Sequence, residues 1–241
     1  VLPEAIAAHR AALRERLAQD AQTRWGGMSL YIQEEGATLP IEASPYQQGR
    51  LGPRVNLMRT LHTAQRLLVL GEPGAGKTVA LERLAWELCD DAQAVIPVLI
   101  RLRFYDGAPL LTWVRSALQQ TGHLRFDDDE ALVVFLQEGP ARCVFLLDGL
   151  NEVPPAHRDT LVGALVRWMD AYPKHALVLT SRVQDEVWRL LRDRMAQAVV
   201  VQPISDAQAQ AYLEAHLHDQ GAALYARLDE RLQALARRPL L

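Results

Sequence analysis

Cysteine is scarce in this chain of 241 residues: Cys89 and Cys143 are the two it has. That excludes the disulfide framework of a small secreted scaffold, and both residues fall in apolar patterns. Reduced, buried thiols in a cytoplasmic protein are the expectation. Long apolar runs are missing as well; none approaches the roughly 20 residues that span a bilayer as helix. Neither sign of charge dominates. The balance of 26 Lys and Arg against 29 Asp and Glu gives a net charge of -3, which provides no electrostatic footprint for nucleic acid. Val1 opens a polar helical pattern rather than a signal-peptide core, and the missing initiator Met suggests a fragment or a processed chain. Metal-ligand spacing is absent around His9, His62, His123, His216 and His218. Asp127, Asp128 and Asp129 read as a helix cap with a dipole-matched first turn rather than a metal site. What is present is an apolar content of 49%. That is enough for a real core in one large domain, or one domain with small additions.

The stretch from Arg66 to Thr78, RLLVLGEPGAGKT, organises the rest. Four apolar residues, Leu67 to Leu70, predict a strand. A turn of Gly71, Glu72, Pro73, Gly74, Ala75 and Gly76 follows. Lys77, Thr78 and Val79 then open an amphipathic helical pattern. Strand, glycine-rich loop and helix in that order are the context in which G-x-x-x-x-G-K-[ST] becomes a phosphate-binding loop. Glycines let the backbone curl so that several N–H groups point at one place. The helix start adds its positive dipole end. Lys77 offers a point charge to β- and γ-phosphates, and Thr78 a hydroxyl to Mg²⁺.

Around this loop the pattern alternates. Ile6, Leu13 and Leu17 lie on one face of a predicted helix from Pro3 to about Thr23, and MSLYIQEEG suggests a short strand. Residues 36–53, punctuated by Gly and Pro, read as a linker or loosely packed arm. Asn56 to His62 predicts a short helix. Strands are expected at VIPVLIRLRF, CVFLLD, ALVLTS and AVVVQP. Helices are expected at Leu110–Gln120, after Asp129, at His157–Tyr172, Gln184–Met195, Ile204–His216 and Ala222–Arg237. Continuously apolar strands alternating with helices predict a parallel sheet covered on both faces. Trp86, Trp113, Trp168 and Trp188 occupy apolar positions and read as core. Ligands of such sheets sit at the carboxyl ends of strands. The glycine loop, Asp148 and Thr180-Ser181-Arg182 all fall at such ends.

Two further motifs join the loop there. In CVFLLDGLNEVP, Asp148 closes an apolar strand, where a carboxylate holds Mg²⁺ through water. Glu152, in the following turn, is the candidate to polarise an attacking water, with Asn151 beside it. In LVLTSR, Arg182 is the candidate that bonds the γ-phosphate or couples hydrolysis to movement of the next helix. An ordinary surface Arg paired with Asp185 or Glu186 is the competing reading.

GEPGAGKT, FLLDGLNEVP, LVLTSR, VQPISDAQAQAYL and ARRPLL, in that order, resemble the NACHT NTPases of the STAND group, relatives of NOD-like receptors and many of them bacterial. The resemblance runs from about Leu57 to Leu241. Gly149 and Glu152 match the family's hallmark positions, while Asn151 stands where many members carry Asp. The resemblance implies an α/β P-loop NTPase. Its sheet would have five parallel strands in the order 2-3-4-1-5, helices on both faces and a small helical part at the C-terminal end. It divides the chain into an N-terminal helix and arm (1–56), an NTPase core (57–203) and the start of a helical domain (204–241). There Pro239 would pack against adenine. It implies a nucleotide-gated switch with Mg²⁺, closed as a monomer with ADP and open as a self-associating oligomer with ATP. Effector and sensor domains would lie outside an excised core, in an innate-immunity or anti-phage defence protein. The absence of an N-K-x-D turn favours ATP over GTP. Two other readings stay open: a scaffold that nucleotide stabilises without hydrolysis, and a remodelling ATPase of the AAA+ type.

Overall fold

The computed structural model describes residues 2–25, 42–47, 50–51, 55–91, 95–201, 205–217 and 219–236. In chain order the elements are α1 (Leu2–Trp25), β1 (Glu42–Gln47), β2 (Arg50–Leu51), β3 (Val55–Asn56), α2 (Leu57–Thr63), β4 (Arg66–Leu70) and α3 (Lys77–Cys89). They continue with β5 (Ile96–Arg101), α4 (Leu110–Gln119), α5 (Asp129–Glu138), β6 (Cys143–Asp148), α6 (Pro155–Ala171), β7 (Ala176–Ser181) and β8 (Gln197–Val201). Three helices follow: α7 (Asp206–Leu217), α8 (Asp219–Arg227) and α9 (Glu230–Ala236).

Five strands pair in parallel in the spatial order β8-β4-β7-β6-β5. Counted along the chain, that is the 2-3-4-1-5 order the resemblance implied, with the LVLTS strand β7 between β4 and β6. Side chains alternate across the sheet because the strand period is two. Leu68, Leu70, Ile96, Val98, Ile100, Phe145, Leu147, Leu177 and Leu179 face α4, α5 and α6. Leu67, Val69, Val144, Leu146, Val178 and Val199 face α3 and the C-terminal half of α1. Each such side chain, fully buried, contributes roughly 1.5–3 kcal/mol. The same alternation places Arg101, Asp148 and Thr180 on the α3 face, at the carboxyl ends of their strands.

The first helix is not a detached arm. Ile6, His9, Leu13 and Leu17 are all buried, and α1 lies along the edge strand β5, where His9 Nε2 meets Pro97 O at 3.2 Å. Trp168 and Trp188 are buried as expected, and Trp86 and Trp113 are half-buried. Cys89 and Cys143 are free thiols, and burial pushes both up to about 12. Among the described residues no helix is long and apolar enough to cross a membrane.

Four expectations are corrected. The supposed linker of residues 36–53 contributes β1, which pairs antiparallel with β8 (Ala43 opposite Val201, Pro45 opposite Val199). Gly and Pro marked its ends and masked the pairing between. VIPVLIRLRF stops being strand at Arg101; a 3₁₀ turn at Leu102–Phe104 buries Leu102 and leads Tyr105 into the core. The stretch expected as a helix from Gln184 is instead a 3₁₀ segment, Val187–Arg194. In that conformation side chains three apart eclipse, so Trp188 and Leu191 can be buried together. The last predicted helix, 222–237, is two. Asp229 Oδ1 accepts the Leu232 N–H at 2.8 Å, and an Asp that competes for backbone N–H starts a helix rather than continuing one. The suggested strand at residues 28–36 lies outside the described residues, as does Pro239.

Candidate functional site

The loop between β4 and α3 is shaped by its glycines. Gly74 and Gly76 have φ of 77° and 86°, the left-handed region that favours glycine. At Gly71 a Cβ would stand 3.2 Å from Ala75 Cβ and 3.3 Å from Lys77 Cγ, so a side chain there would press on Ala75 and the Lys77 stem. Gly71 N–H donates to Ser181 O at 3.3 Å, tying the loop to β7, and Ala75 N–H closes a turn on Glu72 O at 3.1 Å. Pro73 lies within that turn. Glu72 Oε1 accepts from Gln184 Nε2 at 2.6 Å. Val79 is buried and anchors the start of α3. The helix opens on Gly76 with no side-chain cap, which leaves its first-turn amides, unpaired within any helix, for an anion. Lys77 Nζ donates to Gly71 O and to Glu72 O, each at 2.9 Å, so its ammonium hangs over the loop.

Next to it a chain of hydrogen bonds crosses three elements. Thr78 Oγ1 donates to Asp148 Oδ2 at 2.8 Å. Thr180 Oγ1 donates to Asp148 Oδ1 at 2.8 Å and accepts the Gly149 N–H at 2.7 Å. The last bond fixes the turn after β6. Gly149 has φ of 84°, and the Glu152 carboxyl carbon lies 3.2 Å from where its Cβ would be. Glycine here is what lets the 3₁₀ turn Leu150–Glu152 fold Glu152 back beside the carboxylate strand. Leu150 is fully buried under that turn, Glu152 is exposed, and Asn151 is half-buried. Asn151 Oδ1 is buried without a hydrogen-bond partner, and its backbone carbonyl accepts from Arg158 at 3.2 Å.

The electrostatics agree with the geometry. Burial, then the positive charge of Arg182, pull the Lys77 pKa below its ordinary value, while Asp148, Glu152 and Glu72 push it up. All five side chains therefore share one field. Arg182 itself is exposed, and Glu186 pairs with Arg189 rather than with it. An anion placed between two cations that repel each other would relieve that repulsion. The oxygens of Thr78 and Asp148 suit Mg²⁺, a hard cation that keeps several waters and phosphate ligands. Among the described residues no group of three or more His, Cys, Asp or Glu side chains could hold a metal by itself.

The fold thus brings together the glycine loop, Lys77, Thr78, Asp148, Glu152 and Arg182. Sequence reasoning missed Arg101. It pairs with Glu82 of α3 at 2.5 Å and approaches Asp148 at 3.9 Å. The only cue was its place at a strand end, which has meaning once β5 is known to lie beside β6.

A family model described as the NACHT domain matches residues 65–220. No curated relative matches the chain. Among solved structures, Cdc6p from Pyrobaculum aerophilum aligns with 66% of this chain and 43% of its own, at 21% identity and a TM-score of 0.43. PCH-2 of C. elegans aligns with 68% of this chain and 42% of its own, at 16% identity and a TM-score of 0.42. The RuvB Holliday junction branch migration motor of Thermotoga maritima aligns with 73% and 58%, at 14% identity and a TM-score of 0.38. The chain therefore spans less than two thirds of each of these structures.

Proposed function

The chain belongs to the NACHT domain family and is a nucleotide-binding NTPase, and from that premise we propose that it is an ATP-driven signalling switch with slow turnover. The observation that carries this reading is the hydrogen-bond chain Thr78–Asp148–Thr180–Gly149. It links the phosphate loop, the Asp148 carboxylate and the turn that carries Glu152 through three side-chain hydrogen bonds. In this reading the loop from Gly71 to Val79 wraps the phosphates, and Lys77 turns from the Gly71 and Glu72 carbonyls toward the β- and γ-oxygens. Thr78 and Asp148 would hold Mg²⁺, which when bound supplies charge neutralisation across the phosphates. The Glu152 carboxylate orients a water and takes its proton. Arg182 reads the presence of the γ-phosphate from the end of β7, and Pro239 packs against adenine.

The switch we propose is a closed monomer with ADP and a self-associating form with ATP, acting in the cytoplasm in a defence protein with effector and sensor domains. Residues 57–203 form its core, extended from residues 1–56 by α1, which packs on it, and β1, which pairs with β8, and 204–241 the start of a helical domain. Slow turnover suits it, because the loaded state must outlast assembly. The test is to denature the purified chain, identify released nucleotide, and measure particle mass with ADP and with a non-hydrolysable ATP analogue. Bound ADP and a mass increase with the analogue support the reading. A chain that binds neither nucleotide sinks it. The second reading, a nucleotide-stabilised scaffold without hydrolysis, is favoured by one observation. Asn151 stands where many family members carry Asp, and its side-chain oxygen is buried without a partner.

A further inference from the structure

Arg101 sits where the proposed function would least want a cation. It ends β5 directly opposite Asp148 of β6, on the same face of the sheet, because neighbours in register share a face. Its side chain is 26% exposed, against 12% for Asp148 and 5% for Glu82. One guanidinium nitrogen bonds Glu82 Oε1, and another stands 3.9 Å from the Asp148 oxygen that also accepts from Thr78. Glu82 lies in the second turn of the helix that begins with Lys77 and Thr78. The guanidinium therefore spans two carboxylates, one on the phosphate-loop helix and one on the metal-type strand.

We propose that Arg101 is a positioning residue that acts as a built-in counter-cation for Asp148, competing with Mg²⁺, and that Glu82 sets how strongly it competes. The inference rests on the reading of Thr78 and Asp148 as the magnesium pair. A guanidinium cannot lose its proton in a protein, so its charge stays when the metal arrives. Two cations at one carboxylate repel, and in a half-buried site the repulsion is poorly screened. Glu82 lowers that cost by holding the guanidinium from the helix side. The chain would thus need more Mg²⁺ to load nucleotide than its loop alone requires, and the Arg101–Glu82 pair sets the level.

The two partners of one ion pair then make opposite predictions. A purely structural bridge would respond in the same direction whichever end was removed. The experiment titrates Mg²⁺ into the full chain with a fluorescent ADP analogue, reads binding by anisotropy, and records melting curves for each variant. Arg101→Met is expected to lower the Mg²⁺ concentration for half-maximal binding by about fivefold, the weak end of the Coulomb scale at this separation. Glu82→Gln is expected to raise it by about the same factor, because a guanidinium held by a neutral acceptor instead of a carboxylate turns more readily to Asp148. The glutamine still offers Arg101 an acceptor, so this arm does not strand a buried charge. Arg101→Lys keeps the charge and is expected to stay within about twofold of the unmodified chain. Shifts of the same sign in Arg101→Met and Glu82→Gln, or no shift in either, overturn the proposal. So does an Arg101→Met chain that binds an ATP analogue more weakly at saturating Mg²⁺ with its Mg²⁺ requirement unchanged, since that marks a phosphate contact. An unmodified chain that binds no nucleotide at any Mg²⁺ level overturns the nucleotide reading itself, and this inference with it.

Discussion

The two rims of the sheet use their polar groups in opposite ways. At the amino ends of the strands, cations rest on the last carbonyls of helices. Arg10 bonds Leu88 O and Asp91 O at the end of α3. Lys174 bonds Gln137 O and Gly139 O at the end of α5. Arg66 bonds Met169 O near the end of α6. His175 accepts the Cys143 N–H on one ring nitrogen and meets Leu136 O with the other. Positive charge at a helix C-terminus is favourable, and these bonds engage backbone groups at helix and strand ends. At the carboxyl ends of the strands the reverse holds. Helix α3 starts uncapped by any side chain, Lys77 and Arg182 repel each other, and carboxylates cluster beside them. One rim is finished by the chain itself. The other sets two mutually repelling cations beside clustered carboxylates at an uncapped helix start, the kind of perturbed arrangement that marks a candidate site.

That contrast can be broken from either side. The largest effect is expected from Lys77→Ala. Nucleotide affinity should fall about a thousandfold, the loss of two charge-assisted contacts, while the melting temperature without nucleotide holds or rises; calorimetric titration and a thermal melt check both halves. Glu152→Gln should keep affinity and cut turnover about a hundredfold, read by phosphate release; undiminished turnover would move the base elsewhere. On the finished rim, Arg10→Ala should cost about 1–2 kcal/mol of stability in urea and leave nucleotide affinity unchanged. A change in affinity there would show that the rims are coupled.

A last effect is one of pH. Burial lowers the pKa of both His9 and His175 below the ordinary 6.5. The unfolded chain takes up protons near that value and the folded chain resists them. Stability should therefore be intact above pH 6.5 and decline as pH falls below it, by at most about 1.4 kcal/mol per pH unit for each histidine. Denaturation curves at pH 7.5 and 5.5 test this, and His175→Gln should flatten part of the slope.

Much of the site was legible because its signals are local. The Gly71–Thr78 spacing, the apolar run ending in Asp148 and the run ending in Thr180-Ser181-Arg182 each fit within one strand and its turn. Gly149 followed by Glu152 three residues later has a cause that any reader of turns can reach. The strand at Glu42–Gln47 was hidden because Gly and Pro around it speak of turns, and its pairing with β8 spans more than 150 residues of chain. His9 showed no metal-ligand spacing in the sequence, and its burial against Pro97 O depends on the edge of β5 lying beside it. Arg101 was unreadable for the same reason: its role depends on Asp148 and Glu82, which meet it only through strand order.

Periodicity, glycine placement and turn chemistry were thus enough to specify the alternating elements, the phosphate-gripping loop and which strand tips carry acid or base. They act over a few residues, and the backbone obeys them wherever it is. Which tips become neighbours, which cation faces which carboxylate, and which helix end is closed by a distant side chain were decided only when the strands took their places. Those contacts are between residues far apart in the chain, and packing alone selects them.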